Sequence, residues 1–151
     1  MVGGQQGGTW GYTEGVTDAG YQEVDHTADW ALRVQGKDLA ELLVNAARGT
    51  IQLSAASPGP GEGTPRRLRL EAADREALLV TWLEELLFAM ETHETVWTGM
   101  QIHAAQDRSL DATVQESPLA GIARHIKAVT YHNLSLQPTP EGLEATVVFD
   151  V

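Results

Sequence analysis

The chain has 151 residues, 42% of them hydrophobic, and carries 21 acidic against 10 basic side chains for a net charge of −11. That length and apolar content suit one globular domain with a filled core, and the negative charge argues against direct nucleic-acid binding, because such a surface repels a phosphate backbone. The absence of cysteine excludes disulfides, thiolate metal ligands and a cysteine nucleophile, in keeping with a reducing cytoplasm.

Residues 1–20 are glycine-rich, with Gly3-Gly4 and Gly7-Gly8, and lack apolar periodicity; they read as a flexible leader to a single domain over 21–151. Asp25-His26-Thr27-Ala28-Asp29 then precedes an alternation of Trp30, Leu32 and Val34 with Ala31, Arg33 and Gln35, the period of a strand that Gly36 ends. Helical spacing follows. Leu39, Leu42, Leu43, Ala46, Ala47 and Ile51 lie on one stripe reaching to about Leu53, and Asp38 with Glu41 three residues later has the form of a capping box. Ser57-Pro58-Gly59-Pro60-Gly61 reads as a loop, and Leu68 and Leu70 alternating with Arg67 and Arg69 as a short strand. Asp74 is placed to cap a second helix, whose Leu79, Trp82, Leu83, Leu86, Leu87 and Met90 make an apolar face wide enough to pack on a sheet, with Glu84 and Glu85 as its solvated face. Those two glutamates also interrupt the longest apolar stretch, 77–90, which is too short to span a bilayer. With no secretory start either, the protein is expected to be soluble and cytoplasmic, without membrane attachment.

Further strands are expected at about 97–105, 109–116, 125–136 and 143–150, with Asp107-Arg108-Ser109 and Pro138-Thr139-Pro140-Glu141-Gly142 as turns. Helices early and strands late predict an α+β fold in which two helices pack on one face of a mostly antiparallel β-sheet. In the last strand Leu143, Ala145, Val147 and Phe149 alternate with Glu144, Thr146 and Asp150. A terminus patterned in this way is expected to be tied into the sheet, which would hold Asp150 beside the terminal carboxylate of Val151.

Chemistry-bearing motifs are few. The sequence contains no Gly-rich phosphate loop, Gly-x-Ser-x-Gly elbow or His-Glu-x-x-His zinc helix. Taken one at a time, Asp25 and Asp29 also fit turn or cap roles, and His26 and His132 fit half-buried rings with satisfied nitrogens. His125 and His132, seven apart on the expected strand, would point to opposite faces and share no metal. Lys127, on the face of Val129 and Tyr131, reads equally well as a snorkelling edge charge or as a cation paired to the carboxylates.

Together, Asp25-His26-Thr27-Ala28-Asp29, Gly36 opening a helix with Leu39 and Glu41, Trp82-Leu83-Glu84-Glu85-Leu86-Leu87-Phe88, Lys127-Ala128-Val129-Thr130-Tyr131-His132 and the final Val148-Phe149-Asp150-Val151 resemble the archease family, over 21–151. The resemblance implies an α+β sandwich and a non-enzymatic cofactor of the RtcB-type RNA ligase. Such a cofactor promotes guanylylation of the ligase's active-site histidine, and so repeated turnover in tRNA splicing and RNA repair. It implies a divalent ion, calcium, on Asp29, Asp150 and the carboxylate of Val151. Three close carboxylates repel one another unless a cation neutralises them, and an all-oxygen set at roughly 2.3–2.6 Å suits calcium rather than a soft metal. The same resemblance makes Lys127 the lysine whose charge matters for activating the ligase. It also places Asp25, beside His26, where some members carry a further functional acid. One departure stands out: many members have Gly-Asp at the start of the first helix, whereas this chain has Gly36-Lys37-Asp38, so either Asp38 takes over that contact or the contact is missing. Two other readings stay open. One is a chaperone for an RNA-modifying enzyme such as a tRNA methyltransferase, which the resemblance also permits. The other is a small metal-dependent hydrolase using Asp29, Asp150 and His26, for which no nucleophile–base pair can be assigned.

Overall fold

In the computed structural model, which describes residues 19–24 and 30–151, the chain order is β1 (Tyr21–Val24), β2 (Trp30–Gly36), α1 (Leu39–Ser54), β3 (Ser57–Pro58), β4 (Thr64–Glu71), α2 (Arg75–Phe88), a π-helical turn (Ala89–His93), β5 (Thr95–Gln106), β6 (Ser109–Gly121), β7 (Ala128–Thr130), β8 (Gln137–Thr139) and β9 (Gly142–Asp150). This is the α+β layout the patterning predicts, and the strand pairings among the described residues are antiparallel. The strands divide into two sheets. One runs β1-β2-β9-β7, with β8 also on β9; the other is built around β6, which pairs with β4, β5 and, near its end at Leu119 and Gly121, the short β3.

Both helices start where the capping chemistry places them. Asp38 accepts a hydrogen bond from the Glu41 amide at 2.9 Å, and Glu41 reaches back to the Lys37 amide at 2.7 Å, so two amides that lack helical partners are satisfied. Asp74 does the same for Ala77 at 2.8 Å. The last turn of α1 closes on Ala55 in the left-handed conformation at φ 52°. The turn from β2 into α1 runs so close to the β8–β9 turn that Gly142, at φ +146°, has no room for a side chain. A Cβ there would overlap the Gly36 carbonyl oxygen and stand 2.6 Å from the Cα of Lys37.

The helices pack on each other and on strands of both sheets, around one continuous core. At its centre is Trp82, fully buried, whose indole N–H donates to the Leu43 carbonyl at 2.7 Å and so pins α2 to α1. Its ring lies 4.7 Å from that of Trp97 in β5. Glu116 approaches the Trp97 N–H at 3.3 Å and accepts from Arg66 at 3.1 Å, and Arg66 also donates to Glu85 at 2.7 Å. Glu85 is therefore not part of a purely solvated face: only Glu84 is fully exposed, while Glu85 ties α2 to β4.

Other expectations also change. The strand read at 125–136 is only Ala128–Thr130. Residues 131–136 turn away through Asn133 in the left-handed region at φ 53°, and Gln137–Thr139, of which Pro138 and Thr139 read as turn, forms β8. His125 and His132 thus do not share a strand, and the alternation of one strand no longer sets their relative directions. Ser57-Pro58, read as loop, makes two-residue β3 on β6, and β6 extends five residues past the expected 116 to Gly121. β1 has no counterpart in the patterning. The apolar run Val147-Val148-Phe149, in contrast, fits a strand covered on both faces: Val147 and Phe149 sit in the core, while Val148 pairs with buried Ala31 outside it. Residues 1–18, most of the expected leader, lie outside the described residues.

On the open face of the second sheet, Arg67 donates twice to Asp111, at 2.6 and 2.7 Å. These hydrogen bonds, opposed by desolvation and aided by the charge of Arg67, hold the Asp111 carboxyl below the usual carboxylate range. Its folded pKa being lowered, the pair contributes stability above the unfolded carboxylate pKa and loses it as pH falls through the folded value. Asp111→Asn is therefore expected to reduce the loss of stability on acidification, measured by urea unfolding between pH 5 and about 2.5; an unchanged acid slope would refute the assignment. Gly142→Ala is expected to lower stability by about 1–3 kcal/mol through backbone strain and the clash with Gly36, and an unaltered urea midpoint would contradict the close approach.

Candidate functional site

Asp150 is the last residue of β9, and β9 lies inside its sheet between β2 and β7. The Asp150 carbonyl accepts the Lys127 amide at 2.8 Å, and the Thr130 hydroxyl donates to the Val148 carbonyl at 3.0 Å, so the strand end is stitched to β7 by backbone and side chain. The strand pairing holds the backbone while the Asp150 side chain and Val151 stay exposed, so a pair of carboxylates is presented from a fixed base. The side chain of Lys127, whose backbone amide binds the Asp150 carbonyl, is exposed, and buried Ile126 anchors the backbone before it.

The segment leading into β7 is held by the C-terminal end of α1. The Ser54 carbonyl, which as the last of the helix has no intrahelical partner, accepts from the Ala123 and Arg124 amides, each at 3.0 Å. Arg124 lies 5.1 Å above the ring of Trp30 and 3.8 Å from the Glu23 carboxylate. His125 Nδ1 is 3.2 Å from Glu91 in the π-helical turn. One end of the molecule thus gathers the last residues of β9, the first of β2, the 122–127 segment and the turn after α2.

Of the site residues expected from sequence, this end brings together Asp150, Val151 and Lys127. Lys127 precedes β7 rather than lying within a long strand, and it does not share the buried setting of Val129. Asp25, His26 and Asp29 lie outside the described residues. Asp38 is elsewhere. It follows Gly36, the register partner of Leu143 at the start of β9, whereas Asp150 ends that strand. At about 3.3 Å per residue the two acids stand roughly 20 Å apart, and the Asp38 carboxylate is engaged in capping α1. Among the described residues no group of three or more His, Asp or Glu side chains gathers as a metal site would.

Sequence reasoning passed over Phe88, 52% exposed, and Tyr131, 59% exposed, as surface features. A signal for Phe88 was present: it falls outside the stripe of Leu79, Leu83, Leu86 and Leu87, so a large apolar side chain had no core to enter. Arg124 carried no such signal, since its ring partner lies in a remote strand. Because Asp38 caps a helix and Lys127 contributes to the fold through its backbone, Asp38→Ala is expected to cost about 1 kcal/mol while Lys127→Ala stays within about 0.5 kcal/mol. Urea unfolding of both variants checks this, with Asp38→Asn expected to retain the cap.

Residues 21–151 match the archease protein family. A Methanosarcina barkeri archease is 30% identical over 139 residues, which cover 87% of this chain and 95% of that protein. A Saccharolobus islandicus archease is 30% identical over 136 residues, 87% of this chain and 98% of its own. The solution structure of Methanobacterium thermoautotrophicum protein 1598 superposes with a TM-score of 0.64 at 28% identity, covering 88% of this chain and 99% of that one. The crystal structure of a Thermotoga maritima archease described as a possible chaperone superposes at 0.65 with 20% identity, covering 86% and 96%, a likeness of fold. With family, relatives and fold in agreement over nearly the whole of the described chain, the protein belongs to the archease family.

Proposed function

We propose that this archease-family protein activates a GTP-dependent RNA ligase of the RtcB type, promoting guanylylation of the ligase's active-site histidine and so its repeated turnover in tRNA splicing and RNA repair. The observation that carries the reading is the stitched end of β9, which presents Asp150 and Val151 beside the exposed Lys127. A fixed acidic end suits alignment of groups on a partner better than chemistry of its own, because its carboxylates are pre-placed and lose little entropy on docking.

Trp30 is the register partner of Phe149, one residue before Asp150, and Asp29 directly precedes Trp30 in the sequence. Asp29, Asp150 and the Val151 carboxylate would together hold a divalent cation, calcium by their hard, oxygen-only chemistry. Bound there, the ion would supply positive charge to an otherwise repelling set and a fixed point for anionic groups of the partner. Lys127, whose backbone amide binds the Asp150 carbonyl, carries an exposed side chain that would be available to orient a phosphate or carboxylate of the docked enzyme. On this reading Asp38, spent on its helix at the other end of β9, takes no part in the same contact, and Asp25 and His26 rank after Lys127.

Transfer of labelled GMP to the cognate ligase, with this protein substoichiometric, tests the reading. Wild type is expected to stimulate several turnovers, and Asp150→Ala or a C-terminal extension to reduce stimulation at least tenfold while keeping the wild-type unfolding midpoint. Full stimulation by the extended protein would refute the role of the terminus. Absence of stimulation by wild type, together with suppressed aggregation of a tRNA methyltransferase, would move the assignment to a chaperone. Turnover of a phosphodiester by the isolated protein would move it to a hydrolase.

A further inference from the structure

The large apolar side chains most exposed among the described residues are Phe88, Tyr131 and Val151. Val151 ends the chain after β9, Tyr131 follows β7, and Phe88 closes α2 where the helix passes into the π-helical turn. A single exposed apolar residue is ordinary; the setting of Phe88 is not. The wide turn that follows directs Ala89 and Met90 inward and leaves the Phe88 ring standing out, braced edge-on at 5.1 Å by His93. Insertions of this kind in helices concentrate at functional sites. Glu84, Glu91 and Glu94, close to it in the sequence, are exposed, and Glu91 reaches His125, two residues before Lys127, so the turn that follows the ring touches the segment that leads to the carboxylate end.

We infer that Phe88, rimmed by Glu84, Glu91 and Glu94, is the anchor by which this protein docks on a basic, RNA-binding protein surface; the inference rests on the activation reading above, and the partner is the ligase of that reading. Complementarity decides between occupants. An enzyme that takes GTP and RNA ends carries Lys and Arg around both anions, and a protein of net charge −11 is drawn to that surface while a nucleic acid is repelled. The aromatic supplies the desolvated anchor that such contacts require, with the acids as a solvated rim that steers approach.

Surface plasmon resonance on the immobilised ligase, run with the guanylylation assay, tests this with Phe88→Ala, with Glu84→Lys/Glu91→Lys, and with Asp107→Lys as a charge control. Asp107 lies beyond Gln106, whose partner is Ser109, at the end of β5 and β6 remote from Thr95 and Pro118. Phe88→Ala is expected to raise Kd at least tenfold, mainly through faster dissociation. The double reversal is expected to slow association at least tenfold at low salt, with the difference shrinking at high salt. Asp107→Lys should change association less than threefold. A wild-type Kd for Phe88→Ala, in a preparation whose wild type binds and stimulates, would overturn the anchor and leave the activation reading intact. Wild type that neither binds nor stimulates would overturn both. If Phe88→Ala loses its fold, the double reversal decides alone: association equal to wild type at low salt would overturn the proposal.

Discussion

The structure depends on one pairing, that of β2 with β9. These strands come from opposite ends of the domain, with Gln35 bonded to Glu144 across 109 residues of sequence, and they share an unbroken register from Gly36↔Leu143 to Trp30↔Phe149. β9 is interior to its sheet, so β7 and β8 have no edge to join until β9 is in place. A contact of such long range costs chain entropy and is made only once most of the fold exists. Its benefit is local rigidity: Val148 and Phe149 have strand neighbours in both β2 and β7, and Asp150 is held by β7.

The helices reinforce that arrangement by joining the two sheets. Trp82 supplies the connection: its N–H satisfies the Leu43 carbonyl in α1 and its ring meets Trp97 in β5, so helix–helix and helix–sheet packing are set by one side chain. Arg66 extends the link outward, joining Glu85 of α2 to Glu116 of β6. Leaving any member of this chain half-paired in a partly buried setting would cost more than the net worth of its hydrogen bond. The end of α1 turns its spare carbonyl to the 122–127 segment, and that segment delivers the Lys127 amide to the Asp150 carbonyl. The carboxylate end is thus braced by elements that have no chemistry of their own.

That division gives the proposed activity its physical sense. A protein that helps another enzyme to transfer a nucleotide needs charges at fixed positions and a surface that finds the partner. The first is provided by the strand end and Lys127; the second by the acidic balance and the exposed ring at the end of α2. On the proposed reading, metal and partner would act on the same few residues, so occupancy of one would change the field met by the other.

How much of this was legible in the sequence follows from the range of the forces involved. Caps, stripes and alternation are local: Asp38, Asp74, the Leu39–Ala47 stripe and the terminal alternation specified both helices, the last strand and the α+β class by themselves, because each depends on neighbours within a turn or two residues. The Asp150-Val151 end was also visible, since a carboxylate directly after the apolar run Val147-Val148-Phe149 marks where burial stops and charge begins. Tertiary structure alone decided that the strands form two sheets, that 125–136 breaks after Thr130, that Glu85 pairs with Arg66, and that Asp38 lies a strand's length from Asp150. It also decided that the turn after Phe88 meets the segment leading to Lys127. Each of these is settled by groups distant in sequence meeting in space, where pairing partners and burial outweigh the local preference of any short segment.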